Sequence, residues 1–194
     1  MTKLLPVFAL FATSTLWAQS GELWFSAGKS VLANRGIGSS SALGAKDDYQ
    51  LKDGFRFGFR TTFNTGTRTG WELGYAYNRT HLELQGADQG GMGIHQVGGN
   101  YLLYATKEGS RVRPFATGGV HFANFVPPGS SVTRGGGSTK FGLNYGGGVK
   151  VALNSIWALR FDLRRYETLK PFDLTLKEGW LHQTEVSAGI GIQF

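Results

Sequence analysis

The sequence predicts an all-β protein, an eight-stranded antiparallel up-and-down β-barrel that crosses a membrane with its strands. Segments in which apolar and polar residues alternate with period two recur at intervals of about 20 residues. Short turns alternate with longer polar loops between these segments. Glycine supplies 30 of the 194 residues, aromatic residues 13% and charged residues only 17%. This composition suits strands in an apolar environment and is unlike that of a soluble helical enzyme.

The first 20 residues have the pattern of a secretory signal peptide. Lys3 precedes an apolar stretch that begins at Leu4, and Ala18-Gln19-Ser20 places small residues where a signal peptidase cleaves. The apolar stretch is too short to cross the hydrocarbon of a bilayer as a helix. The sequence therefore predicts a signal peptide over residues 1–20 and a barrel domain over residues 21–194. A buried N-terminal helix is the alternative interpretation.

Five segments alternate most clearly, and each is predicted to be a strand with one apolar and one polar face. The apolar faces carry Phe55, Phe57, Phe59 and Phe63 in the first segment, Trp71, Leu73, Tyr75 and Tyr77 in the second, Phe141, Leu143, Tyr145, Val149 and Val151 in the third, Leu159, Phe161 and Leu163 in the fourth, and Val186, Ala188, Ile190, Ile192 and Phe194 in the last. Three less regular strands, at about 22–30, 94–105 and 113–125, complete the count of eight. The facing of these three is left open.

The connections between the predicted strands fall into two classes. Short turns are predicted near 64–70, 106–112 and 154–156, and longer polar loops at about 31–53, 79–93, 126–139 and 166–180. Barrels of the bacterial outer membrane have short periplasmic turns, long external loops and an apolar outer band with aromatic edges. The asymmetry of the connections therefore favours such a barrel.

The side on which the apolar residues lie separates two kinds of barrel. A soluble barrel or β-sandwich, the alternative fold, would turn its apolar residues inward and would leave a glycine-rich face with little charge in water. The predicted barrel turns them toward lipid, and small residues fill its narrow lumen. The inward glycines are predicted to be Gly58, Gly74, Gly142, Gly146, Gly148, Gly189 and Gly191.

The polar faces of the strands predict a charged network inside the barrel. If the facing is right, the inward charged residues are Arg56, Arg60, Glu72, Lys150, Arg160, Asp162, Arg164 and Glu185. The turn at 64–70 sets residue 62 opposite residue 72, which makes Arg60 and Glu72 diagonal neighbours. The loop before the last strand brings Glu185 near Asp162 and Arg164. We expect a ladder of ion pairs that plugs the lumen, although the many inward glycines leave a wet passage open as an alternative.

The end of the chain resembles the assembly signal of outer-membrane barrels. Residues 186–194 read VSAGIGIQF, in which Val186, Ala188, Ile190, Ile192 and the final Phe194 alternate with small or polar residues. Residues 113–120 (RPFATGGV), 141–149 (FGLNYGGGV) and 159–164 (LRFDLR) resemble the fifth, sixth and seventh strands of small OmpA-like barrels. The resemblance implies an outer-membrane β-barrel protein of a Gram-negative bacterium, inserted by the barrel-assembly machinery. It concerns architecture more than activity.

The sequence predicts no catalytic residue, no metal site and no cofactor. It has no cysteine, and its four histidines, His81, His95, His121 and His182, lack the spacing of a zinc site. Lipid A deacylases are barrels of this size that place a serine two residues after a histidine. His121 is followed at that distance by Ala123, which leaves an envelope lipid-modifying enzyme as a remote alternative.

The predicted partners are lipids. Lysines and arginines at the outer rim are placed to meet lipopolysaccharide phosphates or to remain solvated, and these residues are Arg35, Lys46, Lys52, Arg79, Arg134, Lys140, Arg165, Lys170 and Lys177. Aromatic residues predicted to lie at the membrane interfaces are Trp71, Tyr77, Tyr101, Tyr104, Trp157, Trp180 and Phe194. Nucleic acid is not an expected partner, because the excess of seven positive charges forms no basic run, and a monomer is expected.

Two functions of different classes remain open at this point. The first is a structural or surface-interaction barrel with a plugged lumen and exposed loops, which predicts little or no conductance. The second is a narrow passive channel for small solutes, hydrophobic ones included, which predicts uptake of a particular solute class.

Overall fold

The computed structural model describes residues 20–39, 48–132, 136–172, 174–176 and 179–194. In this part of the chain it has ten β-strands: β1 (Ser20–Ala33), β2 (Gly36–Gly38), β3 (Tyr49–Leu51), β4 (Gly54–Gly66), β5 (Thr69–Leu84), β6 (Ala87–Tyr104), β7 (Val112–Val126), β8 (Ser138–Ala152), β9 (Trp157–Leu169) and β10 (Trp180–Gln193). Among the described residues, no helix has the length and apolar character that crossing a membrane requires. The predicted signal peptide lies outside the described residues except for Ser20, which begins β1.

Eight of the strands close into an antiparallel barrel, as predicted. Around the ring the order is β1, β4, β5, β6, β7, β8, β9 and β10, and β10 pairs again with β1. The last hydrogen bonds of this seam join the chain end to the first strand, with Gly21 N donating to Phe194 O at 2.8 Å and Phe194 N donating to Gly21 O at 2.9 Å. Because the barrel is closed, each of its strands is hydrogen-bonded to a neighbour on both sides. A strand can lie in hydrocarbon only when its backbone groups are paired in this way.

The register of two hairpins follows the sequence prediction. Thr62 is paired with Glu72 across β4 and β5, and Glu185 is paired with Arg164 across β10 and β9. The short turns after β4, β6 and β8 lie at one end of the barrel, together with the start of β1 and with Phe194. In the turn between β8 and β9, the Asn154 side-chain carbonyl accepts the N–H groups of Ile156 and Trp157 at 2.9 and 2.7 Å.

The prediction of a long loop over 79–93 is wrong. β5 continues to Leu84, and β6 begins at Ala87, so only Gln85 and Gly86 form the turn. Both have positive φ, 50° and 83°, which the backbone of a type I′ hairpin turn requires. The polar residues of this segment therefore belong to strands that project beyond the membrane-facing wall.

Two other predicted loops are shorter than expected. The loop over 31–53 contains β2 and β3, and β3 pairs with the projecting end of β5. β9 runs to Leu169, so the last loop begins at Lys170 and not at residue 166. The short strands β2 and β3 and the longer β9 therefore extend the β-structure at the loop end of the barrel.

The outer wall of the barrel is apolar and its interior is polar, as the alternation predicts. Large apolar side chains are exposed along every barrel strand, among them Phe25, Phe57, Leu73, Val97, Phe122, Tyr145, Leu163 and Val186. The structure also settles the facing of the three less regular strands, because Trp24 in β1, Asn100 in β6 and Arg113 in β7 are buried inside. The soluble alternative, with an apolar interior throughout, is thereby excluded.

One predicted interface residue is placed incorrectly. Tyr104 is 4% exposed and points into the lumen, where its hydroxyl accepts a hydrogen bond from Lys150 at 2.7 Å. Trp71, Tyr101 and Trp157 lie on the outer face near the short turns, and Trp180 lies on it near the loops. The outward aromatics thus mark both ends of the apolar band.

Candidate functional site: the barrel lumen

The centre of the lumen holds two acidic and two basic side chains in mutual contact. Glu72 forms ion pairs with Arg160, whose Nη1 lies 2.6 Å from Oε2, and with Arg164, whose Nη1 lies 2.8 Å from Oε1. Asp162 accepts hydrogen bonds from Arg160 Nε at 2.8 Å and from Arg164 Nε at 3.0 Å. Because side chains alternate along a strand, Arg160, Asp162 and Arg164 all point inward from β9, while Glu72 faces them from β5. All four are fully or almost fully buried.

A second pair of arginines joins this centre to Glu185 of β10. Arg60 Nη2 lies 2.6 Å from Glu185 Oε1, and Arg56 Nε lies 3.0 Å from Glu185 Oε2. Arg60 Nε also lies 3.7 Å from Glu72, the diagonal contact that the register predicts. The Tyr166 hydroxyl donates to Glu185 at 2.9 Å. Glu185 of β10 therefore contacts Arg56 and Arg60 of β4, on the far side of β1, and is paired with Arg164 of β9 in the sheet.

Lys150 belongs to a separate cluster nearer the short turns. It is paired with Glu22, which also accepts Trp24 Nε1 at 2.9 Å and Asn64 Nδ2 at 3.1 Å. Arg113 completes the cluster, with Nη1 3.8 Å from Glu22 and its guanidinium 3.8 Å from the centre of the Tyr104 ring. The eight predicted lumen residues thus form two clusters and not one continuous ladder.

The prediction missed two charged members of the lumen, Glu22 and Arg113. Both lie in strands whose facing the sequence left open. Glu22, Trp24 and Ser26 do alternate along β1, but small residues on both faces weaken that signal. With these two included, six basic and four acidic side chains face one another inside the barrel.

Uncharged polar side chains form the next layer toward the loops. The Gln96 side chain accepts a hydrogen bond from Arg56 and donates one to Gln183 at 2.8 Å. Gln183 in turn donates a hydrogen bond to the Ser30 hydroxyl at 2.8 Å. On the other wall, His121 is hydrogen-bonded to Thr168 at 2.8 Å. The Gln96–Gln183 bond joins β6 to β10, which lie on opposite walls of the barrel. The His121–Thr168 bond joins β7 to β9 over the intervening β8, and the Gln183–Ser30 bond joins the neighbouring strands β10 and β1.

An apolar cluster, which we call the cap, fills the interior at the loop end. Its buried members are Leu32, Ile37, Leu51, Leu82, Met92, Ile94, Ala123, Phe125 and Leu181. Tyr49, Phe172 and Leu174 pack against it from the loops. The cap has no signature in the sequence, because its residues come from five barrel strands, two short strands and the last loop. Each of these segments contributes only one or two residues.

Inward glycines make room for large side chains. A Cβ at Gly191 would overlap the Trp24 ring, one at Gly142 would overlap His121, and one at Gly148 would come within 2.7 Å of Phe115. The space that these glycines leave is therefore occupied. Between Arg56, Arg60, Asn100 and Asn144 a cavity of about 20 Å³ is left, which is roughly the room that one water molecule needs.

The enzyme alternative rested on His121, which the structure places inside the lumen. His121 is buried, bonded to Thr168, and followed by the buried Ala123, so its imidazole reaches neither lipid nor a nucleophile two residues on. No cluster of three His, Cys, Asp or Glu side chains suitable for a metal ion occurs in the described part of the chain. Each of the four lumen carboxylates, Glu22, Glu72, Asp162 and Glu185, forms an ion pair with arginine or lysine.

The predicted assembly-signal residues lie on the outer face of β10. Val186, Ile190 and Phe194 are strongly exposed there, and Ala188 and Ile192 continue the same row. β10 closes the barrel against β1. The row therefore faces lipid at the closing seam.

The family model for the outer membrane protein β-barrel domain matches residues 6–194. The chain belongs to this family. It is an outer-membrane β-barrel protein. No curated protein shows significant sequence similarity to it.

Solved structures share the fold at low sequence identity. Neisserial surface protein A is 17% identical, covers 90% of this chain and 97% of its own, and superposes with a TM-score of 0.63. AlkL, determined in lipid bilayers, is 10% identical, with coverage of 92% for both chains and a TM-score of 0.58. Ail, the attachment invasion locus protein of Yersinia pestis, is 14% identical, with coverage of 90% and 98% and a TM-score of 0.55.

Proposed function

We propose that the protein is a structural outer-membrane barrel whose lumen is closed to solutes and whose loop end carries its surface contacts. The observation that carries the proposal is the filling of the interior. The one small cavity described above, about 20 Å³, lies among buried arginine and asparagine side chains. An eight-stranded barrel has an interior just wide enough for side chains, and here the side chains occupy it.

Two physically different layers support closure. The ion-paired network crosses the lumen with contacts of 2.6–3.0 Å, and its groups are desolvated, so opening a path requires separating buried charges. The cap above it is apolar and packed, so it lacks the polar partners that a water chain needs. A solute must displace both layers to pass.

Polar atoms around the small cavity favour the second candidate, a narrow passage. Within the described residues, two asparagines that line this cavity have polar atoms without a hydrogen-bond partner in the protein, namely both side-chain polar atoms of Asn144 and Oδ1 of Asn100. Such atoms are suited to bind water. A passage would have to connect this spot with both ends of the barrel.

Single-channel recording in a planar bilayer separates the two candidates. The refolded protein is compared with Arg160→Gln, which removes a central lumen charge, and with Arg111→Gln, which removes an exposed charge at the short turns. Heat-modifiable gel migration verifies the folded barrel in each sample.

We expect the unaltered protein and Arg111→Gln to be electrically silent. A steady conductance that Arg160→Gln changes and Arg111→Gln leaves unchanged would overturn the closed lumen and establish the passage.

The proposal includes no chemical reaction. His121, the residue that prompted the enzyme alternative, is enclosed in the lumen. We therefore expect no hydrolysis of lipid A by the refolded protein.

A further inference from the structure

A polar pocket lies on the outer face of the barrel wall near the loops. It has a volume of about 470 Å³, and its lining includes Tyr77 and Arg79 of β5, His95 of β6, and Ser130 and Ser131 of the loop after β7. The pocket opens outward and is separate from the lumen. Nothing in the closed-lumen proposal uses it.

Arg79 differs from three other rim cations in having no acidic partner among the described residues. Arg35 lies 3.3 Å from Asp53, Lys52 lies 2.7 Å from Glu83, and Arg165 lies 2.8 Å from Glu167. No carboxylate lies within ion-pairing distance of Arg79 in the described part of the chain. Of the other predicted rim residues, Lys46, Arg134 and Lys177 lie outside the described residues.

Two glycines of β6 shape the pocket. A Cβ at Gly91 would overlap the Arg79 guanidinium, and one at Gly93 would lie 3.1 Å from the Tyr77 ring. The guanidinium therefore rests over a strand position that has no side chain. His95 Nδ1 is bonded to the Tyr75 hydroxyl at 2.7 Å. When Tyr75 donates this bond, the imidazole carries its proton on Nε2 and presents a second donor.

The pocket lies where the outer wall changes from apolar to charged. On the outward face of β5, Trp71, Leu73 and Tyr75 precede the pocket, and His81 and Glu83 follow it toward the loops. Short turns are periplasmic in outer-membrane barrels, so the loop end faces the cell exterior. The pocket is thus at the headgroup level of the outer leaflet, where lipopolysaccharide carries phosphate groups.

An apolar groove continues from the pocket toward the middle of the wall. Its volume is about 430 Å³, and it is lined by residues that include Leu73, Tyr75, Val97, Gly99 and Phe122. Gly99 has no side chain, and its neighbours on the same strands are large. The strands β5 and β6 therefore line both a polar pocket and, below it, a groove suited to a hydrocarbon chain.

We infer that this part of the wall is a binding site for one lipopolysaccharide molecule, with a lipid A phosphate at Arg79 and an acyl chain in the groove at Gly99. A guanidinium binds phosphate through charge-assisted hydrogen bonds, which are stronger than neutral ones. The inference goes beyond the proposed function, because a conducting barrel would carry the same outer site.

The test measures binding of bisphosphorylated lipid A to the refolded full barrel in phosphatidylcholine nanodiscs. Arg79→Gln is expected to weaken binding about tenfold or more, as the loss of a charge-assisted bond requires. Gly91→Ala should act in the same direction because its Cβ displaces the guanidinium. Arg111→Gln, an equal loss of charge at the opposite end, is the matched control and should bind as the unaltered protein does.

Two further comparisons test the separate halves of the site. Lipid A without phosphates should bind the unaltered protein and Arg79→Gln equally weakly. Gly99→Leu, which fills the groove, should weaken binding of the phosphorylated lipid while Arg79 is intact.

The inference is overturned if folded Arg79→Gln binds bisphosphorylated lipid A as tightly as Arg111→Gln, or if removal of the phosphates leaves the affinity unchanged. Because neither result depends on conductance, failure here is distinguishable from failure of the closed-lumen proposal.

Discussion

Glu72 illustrates at the scale of one residue how a charge is accommodated inside this barrel. Its side chain is 0% exposed and contacts Arg160 and Arg164, with Arg60 at 3.7 Å. A carboxylate removed from water is costly unless opposite charges surround it, and three guanidinium groups provide that environment. The cost of changing Glu72 comes chiefly from the arginines that are left without a partner.

Glu72→Gln is expected to lower the free energy of unfolding by about 3–5 kcal/mol, the usual effect of removing one partner of a buried ion pair. The double variant Glu72→Gln, Arg160→Gln should lose less than the sum of the single variants, because it removes both a charge and its partner. Urea unfolding from lipid vesicles, followed by tryptophan fluorescence, measures these values. Additive losses would show that the two residues stabilise the barrel independently.

Asp88, near the β5–β6 hairpin tip, provides a test of pH dependence outside the membrane. The Gly90 amide donates to its carboxylate at 2.7 Å and His81 contacts it at 2.9 Å; these two hydrogen bonds, with a smaller contribution from Lys52, hold the pKa of Asp88 below its ordinary value. Since the folded pKa is the lower one, the stabilisation is present above the unfolded pKa and is lost as pH falls through the folded pKa.

We therefore expect hydrogen exchange of the Gly90 amide, corrected for its intrinsic pH dependence, to become faster as Asp88 is protonated. Asp88→Asn should remove this pH dependence. Persistence of the dependence in Asp88→Asn would assign it to another group.

At the scale of the elements, the effect of replacing a glycine depends on whether it faces the lumen or the outside of the barrel. A Cβ at Gly191 would overlap the Trp24 ring, and Trp24 is held in place by its hydrogen bond to Glu22. A Cβ at Gly118 meets nothing nearer than 3.9 Å. Gly191→Ala should therefore destabilise the barrel by about 1–3 kcal/mol, as overpacking does. Gly118→Ala is the control and should be nearly neutral, and equal unfolding midpoints for the two variants would contradict this account.

The elements were predictable where alternation is strict. β4, β5, β8, β9 and β10 alternate clearly, and their facing and pairing follow from the sequence. β1, β6 and β7 carry small residues on both faces, so their inward members, Glu22 and Arg113 included, were left open. The β5–β6 turn was missed because the outward residues of these two strands become polar where the strands extend beyond the membrane, while their inward residues, such as Leu82 and Met92, pack in the cap.

At the scale of the whole molecule, the apolar band determines where the protein can reside. Phe59 lies near the middle of β4, faces outward and packs on Phe25 with ring centres 5.2 Å apart. Phe59→Arg should cost about 2–4 kcal/mol, as arginine does at the bilayer midplane, whereas Leu153→Arg, near the short turns, should cost about 0–1 kcal/mol. Unfolding free energies in lipid vesicles measure both, and equal costs would place Phe59 outside the hydrocarbon.

The end of the chain provides a test at the same scale. Phe194 is 72% exposed on the closing strand and belongs to the predicted assembly signal. Phe194→Ala is expected to reduce the amount of folded protein in the outer membrane of cells, because the resemblance of residues 186–194 to an assembly signal implies that the final aromatic residue is recognised during insertion. Phe57→Ala, also outward and in mid-strand, is the control. Equal amounts of the two folded variants would argue against a signal at the chain end.

The sequence by itself determined the closed β-architecture, the lipid-facing wall and the inward direction of most lumen charges, because period-two alternation assigns each side chain to a face within its own strand. The register of the hairpins predicted that Arg60 lies near Glu72, but only the tertiary structure decided which charges meet between strands that are distant in the sequence. Lys150 pairs with Glu22 from a distant strand, and the cap joins residues from five barrel strands and the loops. The exterior pocket at Arg79 likewise depends on how two strands and a loop adjoin. The local pattern specifies whether each side chain points into or out of the barrel. Which side chains touch across the closed barrel depends on register, strand tilt and the lengths of the loops.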